Sequence, residues 1–203
     1  MDELLTFATL GFHHIADISA ADHILFLVAL AVVYRGRDWR DALWVVSAFT
    51  IGHSITLALA VTRLLVLPSR VVEFLIPLTI LATAIENIAV TDHARRARLR
   101  MLFAGVFGLV HGAGFASYLQ SLFMDHIAVP LLGFNLGIEA GQLAVLSVIA
   151  LLLAALDVAL RAVALRAAAT RRFTPSAFRM RVVGLSSAIA VVATAWAVER
   201  RPW

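Results

Sequence analysis

The sequence predicts an all-α, polytopic integral membrane protein: a helical bundle of six transmembrane helices preceded by a short N-terminal interfacial helix. Three observations carry this expectation. Of the 203 residues, 62% are hydrophobic and 15% charged, against roughly 45–50% and about 25% in a soluble domain. The apolar residues fall into six runs, each near the about 20 residues that cross a bilayer. The arginines alternate between rich and poor loops. A mean hydropathy of +0.92 excludes an ordinary soluble globule and a disordered chain. The net charge of +4 and a pI near 10.9 would suggest nucleic acid, but a chain this apolar is no nucleic-acid-binding domain. Cysteine is absent, which removes disulfides, thiolate chemistry and Cys-based metal sites.

Taken in order, residues 1–17 are too short and too polar to span. They begin with Asp2 and Glu3, so they lack the basic start of a secretory signal. They are expected to form a short helix at the outer surface, broken near Gly11. The spans are Ile18–Tyr34, Leu43–Thr62, Val71–Val90, Leu99–Leu122, Pro130–Leu156 and Val182–Val198. Short loops make neighbouring spans antiparallel, and the whole chain 1–203 reads as a single transmembrane domain. Residues 161–181 form a basic cytoplasmic linker, either an interfacial helix or a plain loop, suited to anionic lipid. The sixth span has no ionisable group before Glu199 and is expected to be peripheral.

Arginine sets the orientation. All 17 basic residues are Arg, and 13 of them follow the first, third and fifth spans. The positive-inside rule places those loops in the cytoplasm. Both termini then face the periplasmic side of a bacterial-type inner membrane.

The chemistry must lie in the polar residues that the spans carry. A charge at mid-membrane costs about 2.5–3.5 kcal/mol on insertion scales, so several together point to function. The first span opens with Asp22-His23, just after His13-His14. The second carries His53, with Thr50 and Ser54 on the same helical face. The third carries Glu86 and Asn87, and Glu73 near its outer end. The fourth carries His111. The fifth presents Asn135, Glu139 and Gln142 at i, i+4 and i+7. Asp157 sits near the inner end, within i+4 reach of Arg161. His93 and His126 fall in loops.

Small-xxx-small ridges, Gly108/Gly112 in the fourth span and Gly133/Gly137/Gly141 in the fifth, mark close helix packing. They suggest that these two spans pack on each other and hold His111 near Glu139. Phe49–His53 and Phe107–His111 both place Phe four residues before His, a faint echo of a parallel helix-pair repeat.

Histidine and carboxylate without cysteine suit a borderline or hard divalent metal ion: nickel, cobalt, zinc, iron or manganese. One arrangement is an outer entry site of the Asp22-His23 pair with His13-His14 just upstream, and an inner site of His53, His111 and Glu139. Asn and Gln amides would orient the rings. The same residues would serve a metal transporter, an intramembrane metalloenzyme of zinc or di-iron type, or a non-catalytic metal-binding subunit. Neither Gly-x-Ser-x-Gly nor His-Glu-x-x-His occurs, and no nucleotide-binding motif is present. Anionic lipid is the expected partner at the Arg-rich face. A homo-oligomer is left open.

Five blocks together resemble the HupE/UreJ family of membrane proteins, in its second branch. They are His14–Leu27, Phe49–Leu57 (FTIGHSITL), Ala84–Asn87 (AIEN), Phe107–Ala116 (FGLVHGAGFA) and Phe134–Gln142 (FNLGIEAGQ). The resemblance implies a small helical membrane protein of nickel-permease type, serving hydrogenase and urease maturation. It implies metal-ligating roles for His14, Asp22, His23, His53, Glu86, His111 and Glu139. Asn87, Asn135 and Gln142 would support them, with Thr50 and Ser54 lining the path. The first block departs from the family pattern: His14 and Asp22 are eight positions apart, and Ala20 or Ala21 stands where glycine is expected.

Overall fold

A computed structural model describes residues 2–17, 21–91, 97–115, 119, 127–169 and 176–203. Among these residues all regular structure is helical. The helices are α1 (Asp2–Ala16), α2 (Ala21–Ala31), α3 (Trp39–Val61), α4 (Ser69–Ala89), α5 (Ala97–Gly114), α6 (Ala128–Ala169) and α7 (Ala177–Glu199). A single 3₁₀ turn, Gly36–Asp38, leads into α3.

The helix ends follow local chemistry. The 3₁₀ turn is closed by Asp38, whose carboxylate accepts the Arg35 backbone N–H at 3.1 Å. Arg63 adopts the left-handed region with φ 61°. The Leu64 N–H then bonds back to the Leu59 carbonyl at 2.9 Å, which satisfies a carbonyl at the end of α3. Ser176 caps α7, its hydroxyl accepting from the Arg179 N–H at 3.3 Å.

Four helices, α3, α4, α6 and α7, are long and apolar enough to cross a membrane. A fifth crossing arises if α1 and α2, inclined to each other by 67°, are taken as one broken span. The six spans expected from the sequence are thus met by four, or up to five. The fourth expected span, Leu99–Leu122, begins as α5 and runs into residues 116–126, most of which lie outside the described residues. His93 and His126 also lie outside them.

The glycines show which helices touch. A Cβ at Gly52 would collide with the Gly105 carbonyl, one at Gly108 with the Phe49 carbonyl, and one at Gly112 with the His53 carbonyl. Residue numbers rise together along both helices, so α3 and α5 run parallel in backbone contact. The Phe49–His53 and Phe107–His111 echo lies on these two helices. The ridge of α6 meets α1 in the same way: Gly133 faces Leu4, Gly137 faces Ala8 and Gly141 faces Phe12. These helices also run parallel.

Several expectations are corrected by this packing. The fourth- and fifth-span glycines do not pair with each other; each ridge serves a different partner, and α5 and α6 share no extensive contact among the described residues. The N-terminal helix is not broken at Gly11 and does not rest apart at a surface. It is continuous, and Gly11 is buried against the Phe134 carbonyl of α6. α6 continues to Ala169, so the start of the basic linker extends the helix rather than forming a separate segment. α7 is not peripheral: it packs along α4, with Val182, Ser186, Ile189 and Ala193 buried.

Candidate metal centre

The parallel pairs bring four histidines from four helices into one cluster. His14 ends α1, His23 opens α2, His53 is in the middle of α3 and His111 lies near the end of α5. The tight α3–α5 contact at Gly108 and Gly112 seats the backbone of His53 directly against α5. The ring centroids of His14 and His23 are 4.5 Å apart, His23 and His111 5.6 Å, His14 and His53 6.0 Å, and His23 and His53 6.2 Å. Aromatic rings enclose them. Phe26 and Phe49 lie 4.9 and 5.1 Å from His111, and Phe115 lies 4.0 Å from His14. His53 is 0% exposed and His111 1%.

The hydrogen bonding is unlike that of structural histidines. Six buried ring nitrogens have no partner: His14 Nε2, both nitrogens of His23, both of His53, and His111 Nδ1. A buried polar atom left unpaired costs about 1–3 kcal/mol, so native cores rarely gather several.

The seventh nitrogen that matters, His111 Nε2, lies 3.0 Å from Thr79 Oγ1. The Thr79 hydroxyl gives its one proton to the Ile76 carbonyl at 2.7 Å, so its oxygen accepts from His111 Nε2–H. This network places the proton of the neutral ring on Nε2 and leaves the lone pair on Nδ1, which a metal ion requires. Thr79 was not singled out from sequence; its only signal is a hydroxyl four residues before Thr83 on the face of α4 that carries Asn87.

The carboxylates are held by arginines or turned outward. Asp22 accepts from Arg200 at 2.6 Å. Glu86 is ion-paired with Arg100, which also donates to Asn87 Oδ1 at 2.9 Å, and Asn87 Nδ2 donates to the Ala29 carbonyl at 2.7 Å. Glu139 is exposed on the outer side of α6. The inner site of His53, His111 and Glu139 is therefore not assembled, and the two expected sites merge into one histidine cluster. Asn135 and Gln142 face α3, accepting from Ser54 at 2.9 Å and Thr50 at 2.6 Å. Among the described residues no three His, Asp or Glu side chains are arranged to hold an ion as they stand.

Two arginines counted as loop charges are in fact buried. Arg100 is 4% exposed and Arg181 2%. Arg181, not Arg161, pairs with Asp157, at 2.5 Å. The clue for Arg100 is positional: it and Glu86 flank one short loop at matching depth, so each supplies the counter-charge that the other needs in an apolar bundle.

No curated protein and no solved structure matches the chain. The family model described as HupE / UreJ protein matches residues 1–200. The chain therefore belongs to the HupE/UreJ family and is a metal-transport-related membrane protein.

Proposed function

We propose that the protein is a permease that carries a divalent transition metal ion, nickel first and cobalt, zinc or iron next, across the bacterial inner membrane through the His14–His23–His53–His111 cluster. The six unpartnered ring nitrogens carry this function. With metal–nitrogen bonds of about 2.0–2.1 Å, two rings on one tetrahedral ion have centroids roughly 5 Å apart. The observed separations of 4.5–6.2 Å bracket that value. To place nitrogens from neighbouring rings on one ion, the side chains would have to rotate from their present positions. A site that ligates only after rotation also favours release, which transport requires as much as capture.

The cargo would meet His14 and His23 and pass to His53 and His111, whose Nδ1 is kept free by Thr79. The ion pair of Asp22 with Arg200 lies beside His23, so an arriving cation competes with Arg200 for the carboxylate. A six-crossing path with both termini on the periplasmic side would place the broken α1–α2 element as the first crossing and α5, continued beyond Gly114, as the fourth. Any energy must come from the membrane potential, a proton gradient or a partner, because no nucleotide motif is present.

A water-activating metalloenzyme is the weaker alternative. Its general base would be a carboxylate at the metal, whereas Glu86 is engaged by Arg100 and Glu139 faces outward. The deciding experiment is nickel flux into liposomes containing only this protein. Saturable flux above that of empty liposomes is expected. Flux equal to the empty control for nickel, cobalt, zinc and iron would sink the permease reading, and one non-exchanging metal per chain would favour the enzyme.

A further inference from the structure

A second site lies away from the histidines. It is a groove of about 290 Å³ between the end of α2, the start of α3, α6 and the first turns of α7. Its wall runs along α6 from Leu143 to Asp157, about 21 Å at 1.5 Å per residue. That exceeds the hydrocarbon depth of one leaflet, about 15 Å as half of the roughly 30 Å core. Leu146 and Ala150 make this wall apolar, while Asp157 at its end pairs with Arg181, which shares the Phe178 ring with Arg35.

The polar end has a defined pattern. Arg181 Nη1 donates to Asp157 Oδ2 at 2.5 Å, and Nη2 donates to the Tyr34 carbonyl at 2.7 Å. These bonds leave Arg181 Nε, a donor, and Asp157 Oδ1, an acceptor, both buried and without a partner. Arg35 adds a second positive charge above the Phe178 ring, 4.2 Å from its centroid. An occupant that satisfies this end must bring an anionic acceptor and a donor close together, followed by a long apolar tail.

We propose that this groove binds a phospholipid with a primary-amine headgroup, of the phosphatidylethanolamine class. Its phosphate would meet Arg35 and Arg181, its ammonium would donate to Asp157, and one acyl chain would lie along α6. A phosphatidylglycerol headgroup would balance the surplus positive charge of Arg35 and Arg181 but offers Asp157 only neutral hydroxyl donors, not a charged one. A choline headgroup carries the phosphate, but its methylated nitrogen has no N–H to donate. Trp39, 55% exposed at the rim, is a side chain of the kind that sits at headgroup level. The inference is independent of what the histidine cluster carries.

The test offers delipidated full-length protein, in mild detergent, phosphatidylethanolamine, phosphatidylcholine or phosphatidylglycerol with identical acyl chains. Native mass spectrometry then counts the lipid retained. Phosphatidylethanolamine should be held about tenfold more tightly than phosphatidylcholine, the scale of a charge-assisted hydrogen bond. Asp157→Asn should remove that preference. Ala150→Phe fills the groove without touching the ion pair and should abolish retention while leaving helix content unchanged. Equal retention of the three lipids, a preference for phosphatidylglycerol, or undiminished binding by Ala150→Phe overturns the proposal. The wild-type lipid comparison decides the matter even if Asp157→Asn does not fold.

Discussion

At the residue scale the main distinction is between polar side chains engaged by a counter-charge and those that are not. Glu86 and Asn87 both engage Arg100 through its Nη1, although Arg100 Nε and Nη2 have no partner, whereas six histidine nitrogens have neither a counter-charge nor a hydrogen bond. The two groups should respond oppositely to mutation. His53→Ala or His111→Ala should lower nickel bound in equilibrium dialysis by at least about tenfold, and Thr79→Val, which frees the His111 tautomer, by about 10–100-fold. Glu86→Gln should leave bound nickel unchanged. It strands a buried guanidinium instead, a loss of about 3–5 kcal/mol for a fully buried pair. Because Glu86 is 24% exposed at its side chain and Asn87 still accepts from Arg100, the low end of that range is expected, read as earlier thermal unfolding in detergent. If Glu86→Gln instead emptied the metal site with no loss of stability, Glu86 would have to be a ligand.

At the element scale the glycines decide which helices pair. Apolar surface gives little drive for helix association inside a lipid bilayer, so close packing and backbone approach dominate. Gly108→Ala puts a methyl group into the Phe49 carbonyl and should destabilise by about 1–3 kcal/mol or more. It should also weaken metal binding, because it moves His53 relative to His111. Gly184→Ala, in α7 with nothing within 4 Å of the added Cβ, should be neutral or stabilise by about 0.5–1 kcal/mol through helix propensity. Thermal unfolding of the two variants checks the contrast. The sequence displays both ridges as regular spacings but does not say which partner each ridge meets. A glycine ridge is a one-sided surface, and its complement on α1 or α3 is ordinary backbone with no composition of its own.

At the scale of the whole molecule, orientation is open to a direct check, because the native chain has no cysteine and needs no background mutations. A single Arg37→Cys variant should react with a membrane-impermeant maleimide only after permeabilisation, and Trp203→Cys should react from the periplasmic side without it. The reverse labelling pattern would overturn the positive-inside assignment. The parallel α1–α6 and α3–α5 pairs give the bundle two similar backbone clamps, and the histidines sit where they meet.

Composition and arginine spacing were enough to establish an apolar helical membrane protein, because hydropathy is a local property that each span expresses by itself. Four histidines within or beside apolar helices were equally legible, since each is costly where it stands. What the carboxylates do was not legible. Helical spacing assigns a residue to a face but not to a neighbour, and Asp22, Glu86 and Asp157 each find an arginine outside their own helix: Arg200, Arg100 and Arg181. Tertiary structure alone decided that these charges pair with each other and that the histidines converge. Ion pairing inside an apolar bundle depends on where two helices place their side chains together, and no single helix carries that information.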